Sequence, residues 1–143
     1  MRVNIISNYA YTKSVNFRAN NKQDERLGSV TRMIYRNRDA IINNIDKKAV
    51  EGKKEGYKPI IQRYDLPNTK NQAIIAVCMQ PDTLFRHNLI AGAYSNQTDT
   101  LCSKNLLLNT SKRNIIDFLK TPDGIKEVAT SILRCSDELD KDN

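Results

Sequence analysis

The sequence predicts an α+β fold, a two-layer sandwich in which one helix precedes a four-stranded antiparallel meander and two helices follow it (α-β-β-β-β-α-α). Apolar residues recur at helical spacing before residue 50 and after residue 111, whereas residues 72–110 contain short apolar runs separated by turn residues. The connections between these runs are too short for the crossovers that parallel strands require. We therefore expect the strands to pair in antiparallel fashion.

The first helix is predicted from about Glu25 to Val50, with Asp24 as its N-cap. Its apolar positions recur every three or four residues at Leu27, Val30, Ile34, Ile41, Ile45 and Ala49. Arg38 interrupts this stripe, and three alternatives remain open for it. The helix bends there, the arginine reaches out to solvent, or the arginine meets a buried carboxylate.

Four strands are predicted over residues 57–66, 72–80, 88–95 and 101–108. Pro59 indicates that the first strand lies at an edge of the sheet or begins irregularly, because proline cannot donate to a strand ladder. Gly92, in the third strand, indicates a bulge or a close approach of the neighbouring backbone.

Two helices are predicted after the strands. Ser111 is the expected N-cap of a short helix that ends at Lys120, and Thr121 followed by Pro122 is a typical start for the next one. The second helix carries its apolar residues at the spacing of a buried stripe, namely Ile125, Val128, Ala129, Ile132 and Leu133. We expect this helix to lie across the sheet.

Composition divides the chain into three parts. Residues 1–23 are predicted to be a flexible, basic and asparagine-rich arm, because asparagine side chains compete with regular structure for backbone hydrogen bonds. Residues 24–136 form the single predicted α+β domain, and residues 137–143 the predicted acidic tail. The order of elements over residues 25–136 resembles that of ubiquitin-conjugating and RWD-type domains. The chain has neither a His-Pro-Asn motif before a cysteine nor a Tyr-Pro pattern, so the resemblance implies a layout and no activity.

The sequence favours a protein of the cytoplasm. Three widely spaced cysteines, Cys78, Cys102 and Cys135, form no paired motif and are typical of buried free thiols in a reducing compartment. No run approaches the roughly 18 apolar residues that a membrane span needs. The N-terminus also lacks the apolar core of a secretory signal.

Catalytic and metal-binding patterns are weak. His87 is the only histidine, so a cysteine enzyme would have to combine it with Cys78 or Cys102, which no local spacing supports. Paired metal ligands and glycine-rich phosphate loops are also missing from the sequence. We therefore predict no catalytic residue, no metal and no cofactor, and keep a small cysteine-dependent enzyme as the least favoured hypothesis.

The basic residues are the strongest functional signal. The formal net charge is +7, and a basic body attracts anionic partners such as nucleic acid or an acidic protein surface. The candidate binding residues lie on or just beyond the first helix and at the start of the second, namely Arg32, Arg36, Arg38, Lys47, Lys48, Lys53, Lys54, Lys112 and Arg113. We expect a non-enzymatic binding module that uses this basic helix and loop. The alternative is a protein–protein adaptor whose charge serves solubility.

Overall fold

The computed structural model describes the backbone of residues 17–54, 59–79 and 86–141, and the side chains of 25–47, 59–78 and 86–141. The helices are α1 (Phe17–Arg36), α2 (Arg38–Lys54), α3 (Lys112–Lys120) and α4 (Pro122–Lys141). The strands are β1 (Ile60–Asp65), β2 (Asn71–Met79), β3 (His87–Ser95) and β4 (Thr100–Thr110). The predicted α+β fold is confirmed.

The four strands form one antiparallel sheet in chain order, β1-β2-β3-β4, which confirms the predicted meander. At its centre, Ile75 of β2 pairs with Gln62 on one side and with Ala91 on the other. The edge position expected for the strand after Pro59 is observed, since β1 and β4 are the two outer strands.

The helices cover one face of the sheet. Alternate residues of β2, including Ala73, Ile75 and Val77, are buried in the same hydrophobic core as Ile34 of α1 and Ile132 of α4. Helix α4 contacts β2, β3 and β4, α2 contacts β1, and α1 packs on α4. Each fully buried aliphatic side chain stabilises the fold by about 1.5–3 kcal/mol, so this face supplies most of the core.

The β4 backbone approaches β3 closely at Gly92. A Cβ atom there would lie only 2.0 Å from the carbonyl oxygen of Cys102 in β4, so any other residue would displace that strand. The irregularity in the β3–β4 register lies elsewhere, around Leu89. Of the two predicted roles for this glycine, close approach is the one observed.

The two helix starts predicted after the sheet are confirmed. The Ser111 hydroxyl accepts a hydrogen bond from the Asn114 amide at 3.1 Å. The Thr121 hydroxyl accepts one from the Gly124 amide at 2.9 Å and donates one to the Phe118 carbonyl at the same distance. Each cap satisfies a backbone amide that would otherwise lack a partner in the first helical turn.

The helical segment predicted over 25–50 is divided at Asn37 into α1 and α2. The Asn37 amide is shared between the carbonyls of Met33 and Ile34, and its side chain also donates to Met33 at 2.8 Å. Asparagine side chains compete with regular helical bonding in this way. The division lies next to Arg38, so a break in the helix is the outcome observed among the three predicted for that arginine.

The chain ends are more helical than the composition indicated. Helix α1 begins at Phe17, so residues 17–23 of the predicted arm belong to a helix, and residues 1–16 lie outside the described part. Helix α4 continues to Lys141, through residues assigned to an acidic tail. Leu139 is buried there, and Asp140 accepts a hydrogen bond from Asn71 at 2.9 Å. These contacts hold the last turns against the sheet.

Candidate anion-binding surface

Two groups of cations that are distant in sequence meet where α2 packs against α3. Lys112 opens α3, and its Nζ lies 2.8 Å from Oδ1 of Asp46 on α2. The neighbours of these two residues, Lys47 and Arg113, are both exposed. Lys47, Lys112 and Arg113 with the central Asp46 are called the α2–α3 basic surface below.

The charges that act on Asp46 are positive. The hydrogen bond and the charge of Lys112 lower the pKa of the Asp46 carboxyl, and the charge of Arg113 acts in the same direction. Burial acts in the opposite direction, and the Asp46 side chain is 64% exposed, so nearby cations determine the direction of the shift. Among the ion pairs of the described residues, none uses Lys47 or Arg113. Both cations are thus accessible to a partner.

The predicted arginines of α1 and of the α1–α2 junction differ in exposure. Arg32 and Arg36 are exposed on α1. Arg38 is half-buried, with its guanidinium 4.4 Å from the centre of the Tyr35 ring and its Nε 3.7 Å from the Asp39 carboxylate. Stacking on an aromatic ring and a nearby acid satisfy Arg38 within the chain. Because the helix divides at residue 37, Arg32 and Arg36 lie on a different helix from Lys47.

The remaining predicted cations are Lys48, Lys53 and Lys54. Their backbone belongs to α2, but their side chains lie outside the described part of the structure. Their contribution to binding stays a prediction.

The histidine and the cysteines of the enzyme hypothesis lie apart. His87 and Cys78 are on neighbouring strands, but His87 pairs with Met79 and Cys78 pairs with Asn88. Successive residues of a strand face opposite sides of the sheet, so the two side chains point away from each other. Cys102 pairs with Ala93, six residues along β3 from His87, a separation of about 20 Å.

The thiols are also poorly prepared for nucleophilic attack, which requires the thiolate. Burial raises the pKa of the Cys78 thiol. The pKa of Cys102 is raised by burial first, and then by hydrogen bonds with Cys135 and Glu138. These shifts give no support to the hypothesis of a cysteine-dependent enzyme.

Two side-chain contacts escaped the sequence reasoning. One is Asp46, whose partner Lys112 is distant along the chain and belongs to a different helix. The other is the Cys102 thiol, which packs beside Cys135 and donates a hydrogen bond to Glu138 at 3.1 Å. Both depend on tertiary contacts between distant segments, and no local spacing could have indicated them.

Other site types find little support in the described residues. No cluster of three or more His, Cys, Asp or Glu side chains among them could hold a metal ion. No described helix is long and apolar enough to cross a membrane.

No protein-family description matches this chain, and no curated protein or solved structure is detectably similar to it. The function must therefore be argued from the residues themselves.

Proposed function

We propose that this chain is a non-enzymatic binding module that engages an anionic macromolecule through the α2–α3 basic surface. The observation that supports this most is the 2.8 Å contact between Lys112 and Asp46, which joins the cations of α3 to those of α2. Convergence of cations from separate segments raises the local potential above that of any one helix face.

The position of these cations gives a second argument. Lys112 and Arg113 occupy the first turn of α3, where the helix macrodipole is positive and cations are locally unfavourable by a few tenths of a kcal/mol. The chain carries two cations where the helix itself favours acids. Asp46 offsets part of that cost at Lys112, and a partner with negative charge would offset the cost at Arg113.

The test is charge reversal at the two exposed cations. The double variant Lys47→Glu and Arg113→Glu should weaken binding of labelled single- or double-stranded nucleic acid at least about tenfold at low salt, because each reversal turns an attraction into a repulsion. Fluorescence polarisation at low and near-physiological salt measures it, with an acidic peptide as a second ligand. The melting temperature should stay nearly unchanged.

A control that reverses a single charge elsewhere is Lys70→Glu. Lys70 is exposed on the β1–β2 connection, at the end of the sheet opposite Thr110, where α3 begins. The Lys70→Glu variant should bind nearly as the parent chain does. A loss of binding free energy in this control that reaches half of the loss in the double variant would mean that net charge alone matters, and undiminished binding in the double variant would contradict the proposed surface. Charge reversal at Arg32 and Arg36 then tests whether the binding surface extends onto α1.

A protein–protein adaptor remains the second candidate, and the edge strand β4 favours it. Leu101 and Leu108 of this strand are 58% and 59% exposed, so apolar side chains on an edge strand are available for contact with a partner. Such an interaction would depend little on salt. Binding of a protein partner that persists at high salt and is lost on Leu108→Lys would favour the adaptor.

A further inference from the structure

Two cysteines from distant segments meet where α4 covers β4. Cys102 of β4 pairs with Ala93 of β3, and its half-buried side chain packs against the buried cluster of Ala93, Cys135 and Leu139. The thiols of Cys102 and Cys135 are hydrogen-bonded to each other. A strand and the helix that packs on it therefore hold two sulfur atoms in contact, which is the arrangement that a disulfide requires.

The third cysteine, Cys78, lies on the other face of the sheet. Its neighbour Val77 is buried in the core beneath the helices, and successive residues of a strand face opposite sides. Cys78 therefore cannot reach Cys102 or Cys135 while the sheet is intact. Of the three pairings that three cysteines allow, only Cys102 with Cys135 is compatible with the fold.

We propose that Cys102 and Cys135 form a reversible disulfide that joins β4 to α4 when the chain meets hydrogen peroxide. This site of covalent modification is separate from the α2–α3 basic surface and does not depend on the function proposed for that surface. A small thiol of the glutathione class would reduce the disulfide by thiol–disulfide exchange and restore the two free cysteines.

The oxidation begins at Cys102, because Cys135 is fully buried. The Cys102 sulfur loses its proton and attacks one oxygen of the peroxide, the O–O bond breaks, and the departing hydroxide takes up the proton as water. The Cys135 sulfur then attacks the sulfenic acid formed at Cys102. The S–O bond breaks, and hydroxide leaves as water with the proton of Cys135. The two thiols together lose two electrons and two protons, and one peroxide becomes two molecules of water.

Glu138 makes the first step slow. Burial raises the pKa of the Cys102 thiol most, and its hydrogen bonds with Cys135 and Glu138 raise it further. The bond to Glu138 is 3.1 Å long. Because the thiolate is the form that attacks a peroxide, the pair stays reduced at low peroxide and reacts as the peroxide accumulates.

The experiment treats the reduced full-length chain with millimolar hydrogen peroxide, blocks the remaining thiols with iodoacetamide and maps the tryptic peptides by mass spectrometry. Trypsin places the three cysteines in three separate peptides, so each pairing gives its own linked product. In the folded chain the Cys102–Cys135 product should exceed the other two by about tenfold or more, because only these sulfurs are in contact. Dithiothreitol should abolish the product.

Three controls define the origin of the product. In concentrated urea all three pairings should appear in comparable amounts, because the cost of closing a loop depends only weakly on its length. Cys78→Ser should form the Cys102–Cys135 product as fast as the parent chain, and Cys102→Ser should not form it. Glu138→Gln should form it about twofold to tenfold faster, since more of the Cys102 thiol is then ionised.

Absence of the Cys102–Cys135 product from the folded chain would overturn the proposal. Equal yields of the three pairings without urea would also overturn it, because the bond would then form only after unfolding. The oxidised chain should unfold at a higher urea concentration than the reduced chain, since a cross-link restricts the unfolded state. A lower midpoint would show that the bond distorts the fold, against the proposal. Equal rates in Glu138→Gln and the parent chain would contradict the role given to Glu138.

Discussion

At the scale of single residues, Glu138 contacts two side chains at the edge of the sheet. Its Oε2 accepts the hydrogen bond of the Cys102 thiol, and its Oε1 lies 3.9 Å from Lys104 Nζ. Cys102 also packs beside Cys135, which is fully buried. A carboxylate that accepts a hydrogen bond from a thiol stabilises the neutral thiol, since deprotonation would place two negative charges side by side.

Glu138→Gln should make Cys102 more reactive. Burial raises the pKa of this thiol most, and its hydrogen bonds with Cys135 and Glu138 raise it further. Without the carboxylate the pKa falls toward its usual value, so the alkylation rate at pH 8–9 should rise by about twofold to tenfold. Mass spectrometry after timed treatment with iodoacetamide measures the rate at each cysteine.

Cys78 provides the internal control, because Glu138 is not among the groups that raise the pKa of its thiol. Its rate should be the same in both proteins. The rate at Cys102 should increase with pH in the parent chain, with the curve displaced to lower pH in Glu138→Gln. Coincident curves would show that burial alone protects this thiol.

At the scale of elements, the close packing of the end of α3 against the start of α4 requires a glycine at position 124. A Cβ atom at Gly124 would lie 1.8 Å from the Phe118 carbonyl oxygen and 2.8 Å from the Thr121 hydroxyl. Both atoms belong to the end of α3 and the cap of α4. A side chain here would therefore separate the two helices.

Gly124→Ala should destabilise the fold by about 1–3 kcal/mol, because overpacking forces the backbone to shift. The measurement is urea unfolding followed by circular dichroism. Gly28→Ala is the matched control, since a Cβ there would meet only the end of the Arg32 side chain at 3.2 Å, which can move aside. Alanine is favoured over glycine inside a helix by about 1 kcal/mol, so the control should be neutral or stabilising. Equal changes in the free energy of unfolding for both variants would contradict the close packing at Gly124.

At the scale of the whole molecule, α4 joins the parts of the fold. It contacts α1, α3 and three of the four strands, and its residues Ile125, Val128 and Ile132 are fully buried. The sheet and the helices thus share one core through this helix. Loss of a buried side chain from α4 should therefore destabilise the sheet and the helices together.

Ile132→Ala should lower the free energy of unfolding by about 2–5 kcal/mol without changing the dependence on denaturant, as expected for a cavity in a single cooperative core. Chemical denaturation with two probes, far-ultraviolet circular dichroism and tyrosine fluorescence, measures it. Leu108→Ala, at a side chain that is 59% exposed, should stay within about 0.5 kcal/mol. Separate unfolding transitions for the two probes would contradict a single cooperative folding unit.

The strands and the later helices could be predicted because their signals are local. Ser111, Thr121 and Pro122 define helix starts by their own chemistry, and turn residues separate the short strands. The sheet order then follows from loop length. Four strands with adjacent partners leave little choice of topology.

The remaining features depend on contacts that local patterns do not contain. The apolar spacing resumes past Asn37, and the interruption at Arg38 left a bend as only one of three alternatives, so the periodicity did not fix the division of the helix. Charge density suggested a tail after residue 136, yet Arg26 meets Asp137 and Asn71 meets Asp140 from distant segments. The pairing of Asp46 with Lys112 is of the same kind. Tertiary contacts decide the last two features.

The position of α4 in the chain also imposes an order on synthesis. The strands follow α1 and α2, but the apolar face of β2 and β3, with Ile75, Leu89 and Ala91, is fully covered only when residues 122–141 have been synthesised. At translation rates of 5–20 residues per second, the roughly 30 residues after β4 take about 2–6 s. During that interval the nascent sheet presents a partly uncovered apolar surface, the kind of surface that chaperones bind. The nascent chain therefore passes through an aggregation-prone intermediate before α4 completes the core.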